Sequence, residues 1–317
     1  PAVDVFFRQY GDRTCIINGI GVRSLAHDTC LRLISAGTSA DRCNDWASII
    51  ASQSVNSPMI PQVVLSGPSY AADLSSYIGR VGETGQLAPL LETASFVAPQ
   101  VDALEDAWLQ DLHAVREMEN LQQIYLKQRA LVAEGDLQSV QAMANTVDLM
   151  SDVSGGQGND LARDLSNAVQ LLSNGTARCV SLKHRGWQNL GYDSHASIAV
   201  QASNLQQLFD ELTTTYQQIE QTEPELFQRL TIVVMSEMGR FPSMNLRQGK
   251  SHWMHTSAIM IGSGIRGDQV IGAYDDNCFS SPIDLLSGDV YSSGILLKPD
   301  HLGATLMRLA EADPTER

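Results

Sequence analysis

Apolar positions along this chain follow two periods, one near 3.6 residues and one of short continuous runs. Val5, Phe6 and Phe7 open an apolar stretch before the turn Gly11-Asp12-Arg13, and Thr14 to Ile20 is a β-rich run, a helix-to-strand step. Ser24 to Ala36 carries Leu25, Leu31, Leu33 and Ile34 at helical spacing, with Gly37 as a stop. Asp45 to Ser54 predicts a short helix, and Pro61 to Gly67 a buried strand ending in a turn. From Val101 to Met150 the texture changes: Leu104, Trp108, Leu112 and Val115 repeat at helical spacing and glycines are few. A helical insertion over residues 100–155 is predicted, closed by the loop Ser154-Gly155-Gly156-Gln157-Gly158-Asn159.

Downstream, helix and strand alternate. Asp160–Ser173 and Asn204–Ile219 read as amphipathic helices, Ala177–Leu182 and Ser257–Ile261 as strands, and Leu302–Leu309 as a closing helix. Leu230 to Met235 is an almost continuous apolar, β-branched run, which fits a strand covered on both faces in a parallel sheet. The alternation predicts one α/β unit over residues 1–317, doubly wound around a mostly parallel central sheet.

Composition narrows the function. With 43% hydrophobic residues the core material is ample, and Lys plus Arg (21) against Asp plus Glu (36) gives a net charge of −15. So acidic a chain lacks the basic footprint of a nucleic-acid binder and is repelled by an anionic membrane. A small anionic substrate stays open, because a local metal ion outweighs the global field. No apolar run reaches the roughly 18 residues that a bilayer span needs. The five cysteines form no C-x-x-C pair, so zinc ribbons and thioredoxin-like motifs are out and buried thiols are expected. The chain opens on Pro1 rather than Met, which reads as a removed leader or a fragment.

In open α/β sheets ligands sit beyond the carboxyl ends of strands, so the segments there are the ones to inspect. Gly191-Tyr192-Asp193-Ser194-His195 follows one predicted strand and Ser236-Glu237-Met238-Gly239-Arg240 the next; Lys250-Ser251-His252-Trp253-Met254-His255 lies before a third. Imidazole mixed with carboxylate suits zinc first, while magnesium or calcium would want more oxygen ligands. Each residue also has a structural alternative: Asp193 as a loop cap, Glu237 and Arg240 as an ion pair, His252 as a surface residue. His27, His113, His184 and His301 show no partner in sequence.

These three segments resemble the motifs G-W-D-T-H, S/T-E-F-G-R and D-H-W, in that order. On them the chain is similar to a bacterial domain-of-unknown-function family exported by the twin-arginine route, within the alkaline-phosphatase and sulfatase-like superfamily. The resemblance is strongest over residues 160–313, with Ser24-Leu25-Ala26-His27 standing near the family's S-H-F. It implies an α/β/α sandwich, a periplasmic location, and metal ligation by Asp193, His195, Glu237 and His252, with Arg240 facing a substrate oxyanion.

Two departures follow. Ser251 stands where the family has a carboxylate. The superfamily's nucleophile follows an early strand that has no counterpart here, so no nucleophile is identified and the chain reads as N-terminally shortened. The leading expectation is therefore a metal-dependent hydrolase of phosphate or sulfate esters, zinc its expected cofactor. The competing one is a non-catalytic structural or binding relative, for which a protein partner or a homo-oligomer is the natural context.

Overall fold

The computed structural model describes residues 1–55, 58, 60–80 and 161–313. In chain order the first elements are α1 (Ala2–Tyr10), β1 (Thr14–Gly21), α2 (His27–Ala36), α3 (Trp46–Ser52), β2 (Gln62–Val64) and β3 (Ile78–Arg80). Then come α4 (Leu161–Ser173), β4 (Cys179–Ser181), α5 (Gln201–Thr222), α6 (Pro224–Arg229) and β5 (Thr231–Met235). The hairpin strands β6 (Gly239–Arg240) and β7 (His252–Trp253), then β8 (His255–Gly262), β9 (Gln269–Ile271) and α7 (Pro299–Leu309), complete the chain. The insertion expected over 100–155 lies outside the described residues.

The chain divides into two compact units, one of Pro1–Trp46, Asn159–Ala162 and His184–Arg317, the other of Ala47–Gly158 and Arg163–Lys183. The first unit is built on a four-stranded sheet in the order β5-β8-β1-β9. Here β8 runs antiparallel to both β5 and β1, and only β1 and β9 are parallel. The single, mostly parallel sheet read from the alternation is thus corrected to a mixed one. The cause is connectivity: parallel neighbours need a crossover of a dozen or more residues, usually a helix. The link from β5 to β8 instead runs through the β6–β7 hairpin and brings the chain back antiparallel. Nor is β5 covered on both faces, since it is an edge strand whose residues are half-buried or exposed.

Ile20 of β1 and Met260 of β8 pack with Ile34 of α2 and Leu302 of α7 in one buried cluster. In α1, Ala2, Phe6 and Tyr10 recur every four residues as its buried face. Phe6 meets Phe209 of α5 at a centroid distance of 5.3 Å, and Tyr10 meets Tyr216 at 4.8 Å. Complete burial of a ring such as Phe6 stabilises by about 1.5–3 kcal/mol. Helix α2 begins at His27 rather than at Ser24. Arg23 sits at positive φ (53°) and Ala26 is extended, so the expected first turn is a loop.

The second unit carries the three-stranded sheet β3-β2-β4, parallel throughout. Its central strand is fully buried, as the apolar run there implies. All five cysteines are free thiols. Among the described residues no helix is long and apolar enough to cross a membrane.

Candidate metal centre

The first unit's sheet gathers three chain segments at one edge. Gly21, which ends β1, pairs with His255, which begins β8, while Met235 at the end of β5 pairs with Ala258. Because β8 is antiparallel, the segment before it meets the segments after β1 and β5. His27 is the first residue of α2, six positions beyond β1, and Glu237 lies two beyond β5. Arg240 and His252 are directly opposed in the β6–β7 hairpin. Asp193 and His195 arrive from the irregular segment before α5.

Two histidines have their proton positions fixed by an acceptor behind them. The Nδ1 of His252 lies 2.6 Å from the carbonyl oxygen of Leu25. A carbonyl can only accept, so Nδ1 carries the proton and Nε2 presents a lone pair. His27 repeats the arrangement: its Nδ1–H donates to Glu237 Oε1 at 2.8 Å, which leaves Nε2 free to ligate. Imidazoles that hold metals are oriented in this way, with the second nitrogen on a carboxylate or backbone carbonyl.

These two rings and one carboxylate gather in one place. Donor atoms of His27, Asp193 and His252 all lie within 4.8 Å of one another. His27 Nε2 is 3.8 Å from Asp193 Oδ2, and His195 Nε2 is 3.7 Å from Asp193 Oδ1. His195 Nε2 is also 2.8 Å from His252 Nε2, a gap that a shared proton or a shared cation bridges. Around tetrahedral zinc, with bonds of about 2.0–2.1 Å, donor atoms stand about 3.3 Å apart. The His27–Asp193 and His195–Asp193 separations exceed that spacing by about half an ångström.

Asp193 is held from the other side by Arg240, whose Nη1 donates to Oδ1 at 2.7 Å. Partial burial on its own raises the Asp193 carboxyl, but the Arg240 hydrogen bond and charge, with His195, outweigh it, and the group is held below the usual carboxylate range. Burial pushes His252 down, against the Leu25 carbonyl bond, and the neighbouring His27, His195 and Arg240 push it further down. Both shifts favour an ionised carboxylate and a neutral imidazole, the forms that bind a cation. Among the described residues Arg240 makes one other bond, also from Nη1, to the Lys250 carbonyl at 3.4 Å. Its Nε and Nη2 therefore have no protein partner among the described residues.

The loop between β6 and β7 clasps the 193–198 segment. Lys250 N donates to the Ser194 carbonyl at 2.9 Å, Asn245 Nδ2 to the His195 carbonyl at 3.0 Å, and Ile198 N to the Gln248 carbonyl at 3.3 Å. Gly249 makes this closeness possible, since a Cβ there would lie 2.1 Å from the His195 carbonyl oxygen. Tyr192, next to Asp193, donates from its hydroxyl to His184 Nδ1 at 2.7 Å, and His184 Nε2 reaches Gln207 of α5 at 3.3 Å. Burial lowers His184 against the Gln207 bond and raises Tyr192 to about 12, so neither is charged near neutrality.

Of the residues singled out in sequence, Asp193, His195 and His252 meet directly. Glu237 reaches the cluster through His27 rather than facing it, and Arg240 lies on Asp193. Sequence reading missed His27. Its cues were its position just after a predicted strand and the likeness of Ser24-Leu25-Ala26-His27 to the S-H-F motif, and the helix drawn from Ser24 hid it. His255 stays apart, its ring beside Trp253 and Phe279 with both nitrogens buried and, among the described residues, without a hydrogen-bond partner. Ser251 is exposed.

A family model described as "Protein of unknown function (DUF1501)" matches residues 7–286. The chain belongs to that family. No curated protein and no solved structure matches the chain. The match corrects the superfamily expectation. The family covering nearly the whole chain is one of unknown function, and nothing ties it to the alkaline phosphatases and sulfatases. The notion of a missing serine or threonine nucleophile came from that superfamily and is withdrawn with it.

Proposed function

We propose that this chain is a metal-dependent hydrolase of an anionic ester, a phosphate or a sulfate. One observation carries the reading: His27 and His252, each tethered through Nδ1, have donor atoms within 4.8 Å of each other and of the Asp193 carboxylate. Three protein ligands beside an open position are the usual composition of a catalytic zinc site. The imidazole content favours zinc over magnesium or calcium, which seek oxygen.

His27, Asp193 and His252 would hold the metal with the fourth position left open, and His195 would stand beside it against Asp193 and His252. Glu237 and the Leu25 carbonyl would keep the two tethered rings in register. When bound, such a metal polarises the ester and lowers the pKa of a coordinated water. In the reaction the water oxygen bonds to phosphorus or sulfur, the bond to the leaving oxygen breaks, and the leaving oxygen takes a proton from that water. Arg240, anchored through Nη1, would offer Nε and Nη2 to the oxyanion as charge-assisted donors. No side-chain nucleophile is required.

A non-catalytic reading is favoured by one observation, the Arg240–Asp193 pair at 2.7 Å, which already balances the carboxylate's charge. The test is zinc titration by calorimetry together with aryl phosphate and aryl sulfate assays on the zinc-loaded chain. Zinc-dependent turnover that His252→Ala abolishes is expected. Tight zinc binding with no turnover of either ester would favour the non-catalytic reading.

A further inference from the structure

We infer that the ester taken at this site is amphiphilic, its anionic head at Arg240 and the imidazole cluster and its apolar tail on a rim of Leu25, Leu190, Ile198, Met244 and Leu246. The inference rests on reading the site as an anionic-ester hydrolase and names the substrate class. All five side chains are exposed, from 36% at Ile198 to 106% at Leu246. Scattered exposed apolar residues are ordinary; a set carried on the loops that build one polar site is a binding feature.

Backbone bonds hold these residues around the cluster. The Leu25 carbonyl receives the His252 Nδ1 proton, so Leu25 borders the metal-facing ring. Asn245, whose side chain holds the His195 carbonyl, lies between Met244 and Leu246. Ile198 N bonds to Gln248 on that same loop, and Leu190 precedes Asp193 by three residues. The segments that build the polar centre, 190–198, the 241–250 loop and the turn before α2, thus each carry exposed apolar residues.

Charge selects the kind of amphiphile. Arg240 keeps two unpaired donor groups for an anion, and the imidazoles add capacity for positive charge. A chain of net charge −15 is repelled by an anionic bilayer, which favours a dispersed amphiphile over an anionic membrane surface.

The test uses non-hydrolysable n-alkylphosphonates of increasing chain length, below micelle-forming concentrations, titrated into the zinc-loaded chain. Matched n-alkanols serve as the uncharged control. Affinity is expected to rise about twofold per methylene, half of the roughly fourfold that complete burial gives. Met244→Ser with Leu246→Ser should flatten that rise while leaving ethylphosphonate binding and zinc affinity unchanged, because both side chains are exposed and hold no ligand. A wild-type series with no chain-length dependence overturns the amphiphile inference and leaves the hydrolase reading standing. Alkanols gaining as steeply as phosphonates also overturns it, by removing the head from recognition. Self-association in sedimentation that the double variant abolishes would assign the rim to a second copy of the chain instead. Failure to bind zinc overturns both readings and is seen in the titration that precedes the series.

Discussion

At the scale of single residues, the site depends on where two protons sit. Glu237 accepts the Nδ1 proton of His27, and the Leu25 carbonyl that of His252, so each ring offers Nε2. Replacing such an outer partner typically lowers metal affinity 10–100-fold. Glu237→Gln is therefore expected to weaken zinc binding by about that factor while the fold persists, and His27→Ala to weaken it further; calorimetric titration reads both. Three histidines, His184, His252 and His255, are held below their ordinary value of about 6.5, each chiefly by burial. The unfolded chain then binds protons that the folded chain refuses. Their contribution to stability is complete above about pH 6.5 and is lost as the pH falls below it. The metal-free thermal midpoint should drop between about pH 7.5 and pH 5.5; a midpoint that held or rose would contradict the burial of these rings. Four of the cluster's residues were legible in sequence because each sits among polar residues beside a predicted strand end. His27 was not, because its partner Glu237 lies 210 positions away and no local pattern joins them.

At the scale of elements, strand positions were legible and strand directions were not. The run from Thr231 to Met235 reads as β from its branched side chains, and it is β5. Its antiparallel neighbour follows from the hairpin between them, whose strands of two residues each leave no periodic signal. The same hairpin's loop leaves no room for a side chain at Gly249. A side chain at Gly249 would collide with the backbone of Ser194 and His195. Gly249→Ala is expected to destabilise the chain by about 1–3 kcal/mol, as overpacking does, and to weaken zinc binding by moving His195. Denaturant unfolding and zinc titration on one preparation check the pair of effects; unchanged stability with unchanged zinc affinity would mean that the loop does not clasp His195 as described.

At the scale of the whole molecule, composition argued against nucleic-acid and anionic-membrane partners but could not say which fold encloses the site. The mixed sheet arises from how β5, β8, β1 and β9 are connected, and connection lengths are where a pattern of apolar residues says least. A net charge of −15 also repels itself across the folded chain. Raising the ionic strength from low salt to about 0.15 M, where exposed charges are screened beyond about 8 Å, should raise the metal-free thermal midpoint; a fall would show that paired surface charges outweigh the repulsion.

The central claim is that His27 and His252 hold a metal with Asp193. Zinc titration of the wild-type chain against His27→Ala, His252→Ala and His255→Ala tests it most directly. The account predicts one tight site per chain, lost or sharply weakened in the first two variants and intact in the third, because His255 stands apart from the cluster. Zinc binding that survives replacement of both His27 and His252 would contradict it.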